Sequence, residues 1–317
     1  MSSNTRFVVL GDLIADLYYN GTKLIGIDGG SSRFNVIANL ATMGCNTAAI
    51  GGCGNDKFGK TILKRYSNLG VDVSNVKIKD KPIRAYNLII NQAMLPKLNY
   101  ECSKISPVNY QNTWYEDSID DIEYCKKHVN SGDVVVLDKL DDFSISIIND
   151  LNCNKAIDIG TTKMLEKMDD DKIMELKGKL SLLQFNERVI PYIMQRFEFT
   201  NFPELYKLFK PKLMIITKGR EGADFLFENG IMSKKITRST EEIDPTGAGD
   251  AFFSVFIKEY FNNQSKVNEG FINKTFQNAL NLTSDVVRHI GARGHIYDKT
   301  LKKDTLDNNN NNEEERK

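Results

Sequence analysis

The stretch DPTGAGDAFF, residues 244–253, sets Gly247, Ala248 and Gly249 between two aspartates and then runs straight into phenylalanines. Beyond it Phe252, Phe253, Phe256, Ile257 and Tyr260 recur at helical spacing, which predicts a tight loop opening an amphipathic helix with Asp250 in its first turn. Such a loop collects anions, because unpaired N–H groups and the positive end of the helix dipole point the same way. The three small residues leave room for a phosphate. A carboxylate directly behind them would repel that phosphate as a ligand, but it makes sense as a base that deprotonates a nucleophile aimed at the phosphorus. The competing reading is a plain helix N-cap whose small residues serve packing alone.

Outward from this loop the chain alternates short apolar runs with helical patterns. RFVVLGD (6–12) reads as a buried strand ended by Gly11. Phe34 to Met43 reads as a helix, with Gly44 where a C-terminal cap belongs. TAAIGGCG is the next strand, Lys57 to Leu69 the next helix, and VVVLD (134–138), KAIDIG, LSLLQFN and LMIITKG are further strands. Strands alternating with helices imply an α/β sandwich, a mainly parallel sheet covered on both faces. Two stretches break the rhythm, LYYNGTKLIGI (17–27) and the alternating region from Val76 to Ile90. They are expected to form a small separate sheet, a lid inserted at approximately 17–28 and 76–110 of a domain covering 1–303. The polar, aromatic segment 96–116 reads as a loop attached to that lid. From Asp304 onward, five consecutive asparagines and EEERK form a low-complexity tail expected to be disordered.

With 317 residues, 41% of them hydrophobic, the chain can bury a full core. Its formal net charge is zero, so nothing favours nucleic acid or an anionic membrane, and a small molecule is the expected partner. Five scattered cysteines without a C-x-x-C pair read as reduced thiols. With no apolar run of about 18 residues, the expectation is a soluble cytoplasmic protein without a membrane partner. Gly247, Gly249 and Phe252 do not make the dinucleotide fingerprint G-x-G-x-x-G, so an NAD-dependent oxidoreductase is not supported. A P-loop NTPase is likewise not expected from GGCGNDKFGKT (51–61).

DPTGAGDAFFSVF resembles the C-terminal signature of the ribokinase/PfkB carbohydrate kinase family. VVLGDLIAD, GGSSRFNVIANLATMG, IGGCGNDKFGKTILKRYSNLGVDVSNV, FNERV, TKGREGA and RHIGARG match that family in the same order, over roughly residues 6 to 300. The resemblance implies a three-layer α/β sandwich with a small β-sheet lid, which can serve as a homodimer contact. The implied reaction is ATP-dependent phosphoryl transfer, with Mg2+, to a hydroxyl of a sugar or related polyol. Asp250 then resembles the catalytic base, and the amides of Gly247, Ala248 and Gly249 the anion hole. Asp16 resembles the aspartate that grips sugar hydroxyls, and Gly29, Gly30 and Asn35 the di-glycine hinge and asparagine that meet the substrate, although GGSSRFN is one residue longer than the usual spacing. Thr217, Gly219 and Gly222 resemble residues that meet ATP, and Asn186 the asparagine of an N-x-x-E motif that organises magnesium.

That motif departs here. Its acid position holds Val189, which leaves Glu187 or Asp158 as a displaced carboxylate for the magnesium shell, and restoring Val189→Glu is expected to lower the magnesium requirement. Asp244 and Thr246 resemble positions whose backbone oxygens bind a monovalent cation such as K+ in some members. Two alternatives stay open: a catalytically weakened sugar- or nucleotide-binding regulatory protein on the same fold, and a nucleoside kinase.

Overall fold

The computed structural model describes residues 5–20, 22–90, 100–103, 119–237, 240–262 and 266–297. In chain order its elements are β1 (Arg6–Leu10), β2 (Ile14–Asn20), β3 (Lys23–Gly29), α1 (Ser32–Thr42), β4 (Asn46–Gly54), α2 (Lys57–Asn68), β5 (Asp72–Lys79), β6 (Arg84–Ile90) and β7 (Tyr100–Ser103). They continue with α3 (Ile119–Lys127), β8 (Val134–Leu137), α4 (Asp142–Asp150), β9 (Asn154–Ile159), α5 (Lys163–Glu166), α6 (Asp170–Met174), β10 (Leu182–Asn186), α7 (Ile190–Arg196) and α8 (Phe202–Phe209). The last are β11 (Leu213–Thr217), β12 (Ala223–Phe227), β13 (Gly230–Lys234), α9 (Ala248–Asn262) and α10 (Glu269–Val286).

The larger sheet runs β13-β12-β11-β10-β9-β8-β1-β4-β5. From β11 to β5 every pairing is parallel, and β12 and β13 turn back antiparallel at one edge. The parallel strands inside the sheet, such as β1 and β8, are buried on both faces, so successive side chains enter different cores. Phe7 and Val9 pack with Phe34, Ile62, Phe253 and Phe276 of α1, α2, α9 and α10. Val8 and Leu10 pack on the other side with Phe143, Ile147, Leu205 and Phe209 of α4 and α8.

The smaller sheet is ordered β3-β2-β6-β7. β2 pairs antiparallel with β3 and parallel with β6, and β7 closes it antiparallel to β6. Segment 76–79 departs from the expected lid. β5 is the edge strand of the larger sheet, parallel to β4 with Gly51 opposite Val76 and Cys53 opposite Ile78. Its alternating pattern is that of a half-covered edge, and α2 supplies the crossover that a parallel neighbour requires. After β5 the chain returns to the small sheet at Arg84. Tyr100–Ser103 adds its fourth strand; the rest of segment 96–116 and the tail from Asp304 lie outside the described residues.

Candidate active site

The predicted loop and helix form as read, and Asp250 lies in the first turn of α9. Three residues shape the loop. Asp244, fully buried, accepts from Thr246 N (2.9 Å) through Oδ1 and from Gly291 N (2.7 Å) through Oδ2. Gly247 adopts φ +82°, and a Cβ there would stand 2.7 Å from Ala292 Cα, so only glycine lets the loop press against the 291–293 turn. Ala248 N donates to Pro245 O (3.1 Å), which leaves the amides of Gly247 and Gly249 as the loop's donors without a backbone partner among the described residues.

Asp250 is 7% exposed, and both its oxygens are held by the start of α1. Asn35 Nδ2 donates to Oδ2 (2.8 Å), and Ser32 Oγ donates to Oδ1. Burial pushes this carboxyl up to about 6; the Ser32 and Asn35 bonds pull the other way, and the Asp138 charge adds to the rise. Asp138 sits just past β8, where Ser31 Oγ and Arg33 N (3.2 Å) donate to it and Arg33 Nη1 approaches to 3.4 Å. The N-terminus of α1 thus binds two carboxylates from two different elements.

Asp16 lies on β2, where alternation sends Ala15, Leu17 and Tyr19 into the apolar core and Asp16 to the opposite face. Its antiparallel partner is Asp28 on β3, so two carboxylates stand side by side on one face. Burial raises Asp16 to about 7, with Asp28 and Asp250 contributing and Arg293 opposing. A Cβ on Gly30 would collide with the Asp16 carboxylate, and one on Gly29 with Arg293 and the Tyr66 hydroxyl. The di-glycine is therefore a close-approach site around the acid.

The other predicted residues end neighbouring strands. Asp158, on β9 and 8% exposed, is raised to about 8 by burial and then by the Asp250 charge, against a bond with Gln184. Gln184, opposite it on β10, donates through Nε2 to Gly249 O (3.2 Å), bridging sheet and loop. Asn186 caps the turn 187–189 by accepting from Arg188 N (3.0 Å), and Thr217 Oγ1 donates to Phe185 O (3.2 Å). Gly219 and Gly222 shape the turn after β11, both at positive φ. None of these four bonds to the loop or to α1 among the described residues.

Val189 is 0% exposed and belongs to the apolar cluster with Phe185 and Phe209, while Glu187 faces solvent. The position is a core position, so the expectation that Val189→Glu restores a magnesium-holding acid is corrected: a glutamate there would be buried in hydrocarbon. The run GNDKFGKT (54–61) does satisfy the spacing G-x-x-x-x-G-K-T, contrary to the sequence expectation, but the structure gives it another role. Asp56 caps α2, its Oδ1 accepting from Gly59 N (3.0 Å) and Ile83 N (3.1 Å); Lys60 is exposed, and Thr61 Oγ1 donates to Lys57 O (2.8 Å). A carboxylate already fills the place of the phosphate.

Four residues of the site escaped the sequence reading: Ser32, Asp28, Gln184 and Arg293. Arg293 is 1% exposed, pairs with Asp28 Oδ1 at 2.9 Å and donates to the Tyr66 hydroxyl (2.5 Å). Its motif RHIGARG was visible, but a partner 265 positions away leaves no local pattern.

A glycine loop at a helix N-terminus, an adjacent buried carboxylate and strand ends at a sheet edge define a phosphotransferase of the α/β class. Residues 28–292 match the profile of the pfkB family carbohydrate kinases, and the chain belongs to that family. Over 281 residues it is 22% identical to an ATP-dependent 6-phosphofructokinase of Thermoanaerobacterium thermosaccharolyticum, covering 83% of this chain and 80% of that protein. Among solved structures it resembles a fructokinase double mutant from Vibrio cholerae O395 (TM-score 0.66, 17% identity, 92% of this chain and 95% of that one). It also resembles a nucleoside kinase from Methanocaldococcus jannaschii, described as an archaeal member of the ribokinase family (TM-score 0.67, 14% identity, 93% and 95%).

Proposed function

We propose that this kinase transfers the γ-phosphoryl group of ATP to a hydroxyl of a small sugar or polyol, with Asp250 as general base. The observation that carries the reading is one buried carboxylate, directly behind two open amides, held on both oxygens by neutral donors. Asp16, Gly29 and Gly30 form the acceptor cradle. Asn35 serves it too, because its buried Oδ1 has no partner among the described residues and can accept from a substrate hydroxyl while Nδ2 stays on Asp250.

The acceptor hydroxyl takes the place of Ser32 on Asp250 and gives up its proton to that carboxylate. Its oxygen then forms the new bond to phosphorus, the bond from phosphorus to the leaving ADP oxygen breaks, and the amides of Gly247 and Gly249 bind the transferred group. Magnesium, when bound with ATP, neutralises phosphate charge; Asp158 and Asn186, ending adjacent strands, would hold its water shell. The Asp244 and Thr246 carbonyls would hold a monovalent cation.

The fructokinase was solved with fructose, ADP and potassium, and the nucleoside kinase matches this chain equally well. A panel of fructose, fructose 6-phosphate, ribose and nucleosides, followed by ADP release, therefore covers both acceptor classes. Asp250→Asn should lower kcat by roughly 10²-fold or more with acceptor KM within a few-fold. Near wild-type turnover in that variant would remove Asp250 from the chemistry. Failure of the wild type to release ADP with any acceptor, alongside retained ATP binding, would favour the regulatory alternative.

A further inference from the structure

We propose that Arg293 is a positioning residue for the acceptor: one buried guanidinium that offsets the paired carboxylates of Asp16 and Asp28 and ties their strands to the turn supporting the anion loop. The proposal rests on the reading of Asp16 as the acceptor-binding acid.

Like charges directly opposite on neighbouring strands repel, and burial strengthens that repulsion, so the Asp16–Asp28 pair needs a cation. Arg293 meets Asp28 at 2.9 Å and lies with its Cζ 5.0 Å from the centre of the Tyr66 ring. Arg65 is a poorer candidate, 3.9 Å from Asp28 and partly exposed. The groups acting on Arg293 come from several sides: Asp28 on β3, Asp16 on β2, Tyr66 on α2, Asp250 on α9, and Tyr297 after the turn, whose hydroxyl donates to Asp28 (2.6 Å); Arg65 on α2 reaches the same Asp28.

The mechanical link is as short. Ala292 is the surface on which Gly247 is pressed, and Gly291 N binds Asp244, so the residues just before Arg293 hold the anion loop. The small sheet touches the same turn, because a Cβ on Gly291 would stand 2.8 Å from the Tyr18 hydroxyl. One turn therefore fixes the acceptor-binding strand relative to the base-bearing loop, and its arginine sets the charge balance of the acceptor acid.

The test is a carboxyl titration of the full-length protein, selectively 13C-labelled at aspartate, with Asp16→Asn identifying the Asp16 signal. Arg293→Met removes the cation and should move the Asp16 midpoint upward by about half a pH unit or more. Asp28→Asn removes the neighbouring anion and should move it downward by a similar amount, and Arg293→Lys should stay near wild type. Opposite shifts support the proposal. Unchanged midpoints, or two shifts in the same direction, overturn it, since loosened packing alone would not invert the sign. Should Arg293→Met fail to fold, Asp28→Asn decides by itself: a downward shift supports the proposal and none overturns it. Turnover of the same variants with the acceptor panel is a separate readout, so a protein inactive on every acceptor that still shows opposite shifts would sink the kinase reading and keep the charge assignment.

Discussion

The edge assigned to the acceptor and the edge assigned to the nucleotide are built differently. On the first, the ionisable Asp28, Asp250 and Arg293 are buried beside the half-buried Asp16, and Arg293 pairs with Asp28. On the second, Asn186, Thr217, Gly219 and Gly222 are neutral, and the two side chains are bonded to backbone, Asn186 in its own turn and Thr217 on the neighbouring strand β10. A hydroxyl acceptor must be stripped of water and relieved of a proton, which calls for a tuned carboxylate in a low-dielectric setting. A nucleotide brings its own charge and metal, and asks mainly for strand ends and glycine turns that its phosphates and ribose can approach. The acceptor edge should therefore answer to changes in charge and pH, and the nucleotide edge to changes in packing.

The largest expected effect tests the packing half of that contrast. Val189→Glu places a carboxylate in the apolar cluster beneath the nucleotide edge, among hydrocarbon side chains. An uncompensated buried charge costs on the order of 3–5 kcal/mol, so denaturant unfolding should show a loss of that size. The magnesium dependence of whatever activity survives should stay unchanged. A stable variant with a lowered magnesium requirement would mean that the side chain reaches the metal, and that this edge uses charge after all.

That residue also marks the limit of what the sequence carries. The alternating strands and helices, the loop at 244–250 and the aspartate behind it were legible because each is local: hydrophobic period, glycine spacing and a helix start lie within about ten residues. Val189 was misjudged because a motif position does not tell which core a side chain enters; the 3-10 turn capped by Asn186 points it down. Strand β5 was assigned to the wrong sheet because alternation reports one covered face without naming the sheet. Arg293 and Asp28 were invisible as a pair because their contact exists only once α2, β3 and the final turn have packed together.

The next effect tests the charge half. Asn35→Ala removes the 2.8 Å bond from Nδ2 to Asp250, one of the two bonds that oppose the burial of that base. A hydrogen bond to a charged group contributes about 1.5 kcal/mol or more, and 1.36 kcal/mol corresponds to one pH unit, so the acid limb of kcat should move upward by about one unit. In the wild type that limb should fall as pH drops through about 6, where burial places the Asp250 carboxyl. A limb that does not move in the variant would show that Asn35 does not tune the base.

The smallest effect concerns stability, and it asks whether the acceptor edge is held at a cost to the fold. Burial lifts Asp16 from the ordinary carboxylate range to about 7, so between those values the folded protein keeps a proton that the unfolded chain has released. A group raised in the folded state contributes stability below its unfolded pKa and loses that contribution as pH rises through the folded value. At pH 8 the wild type therefore bears the full cost of an ionised Asp16 beside Asp28, and an asparagine of the same shape does not. Asp16→Asn should raise Tm at pH 8 by about 1–3 °C, with the gain vanishing toward pH 4, while its acceptor KM rises at least about tenfold. Paired thermal melts at the two pH values check it. An unchanged or lower Tm at pH 8 would mean that Arg293 already offsets the charge in full, and that this edge is as relaxed as the one opposite.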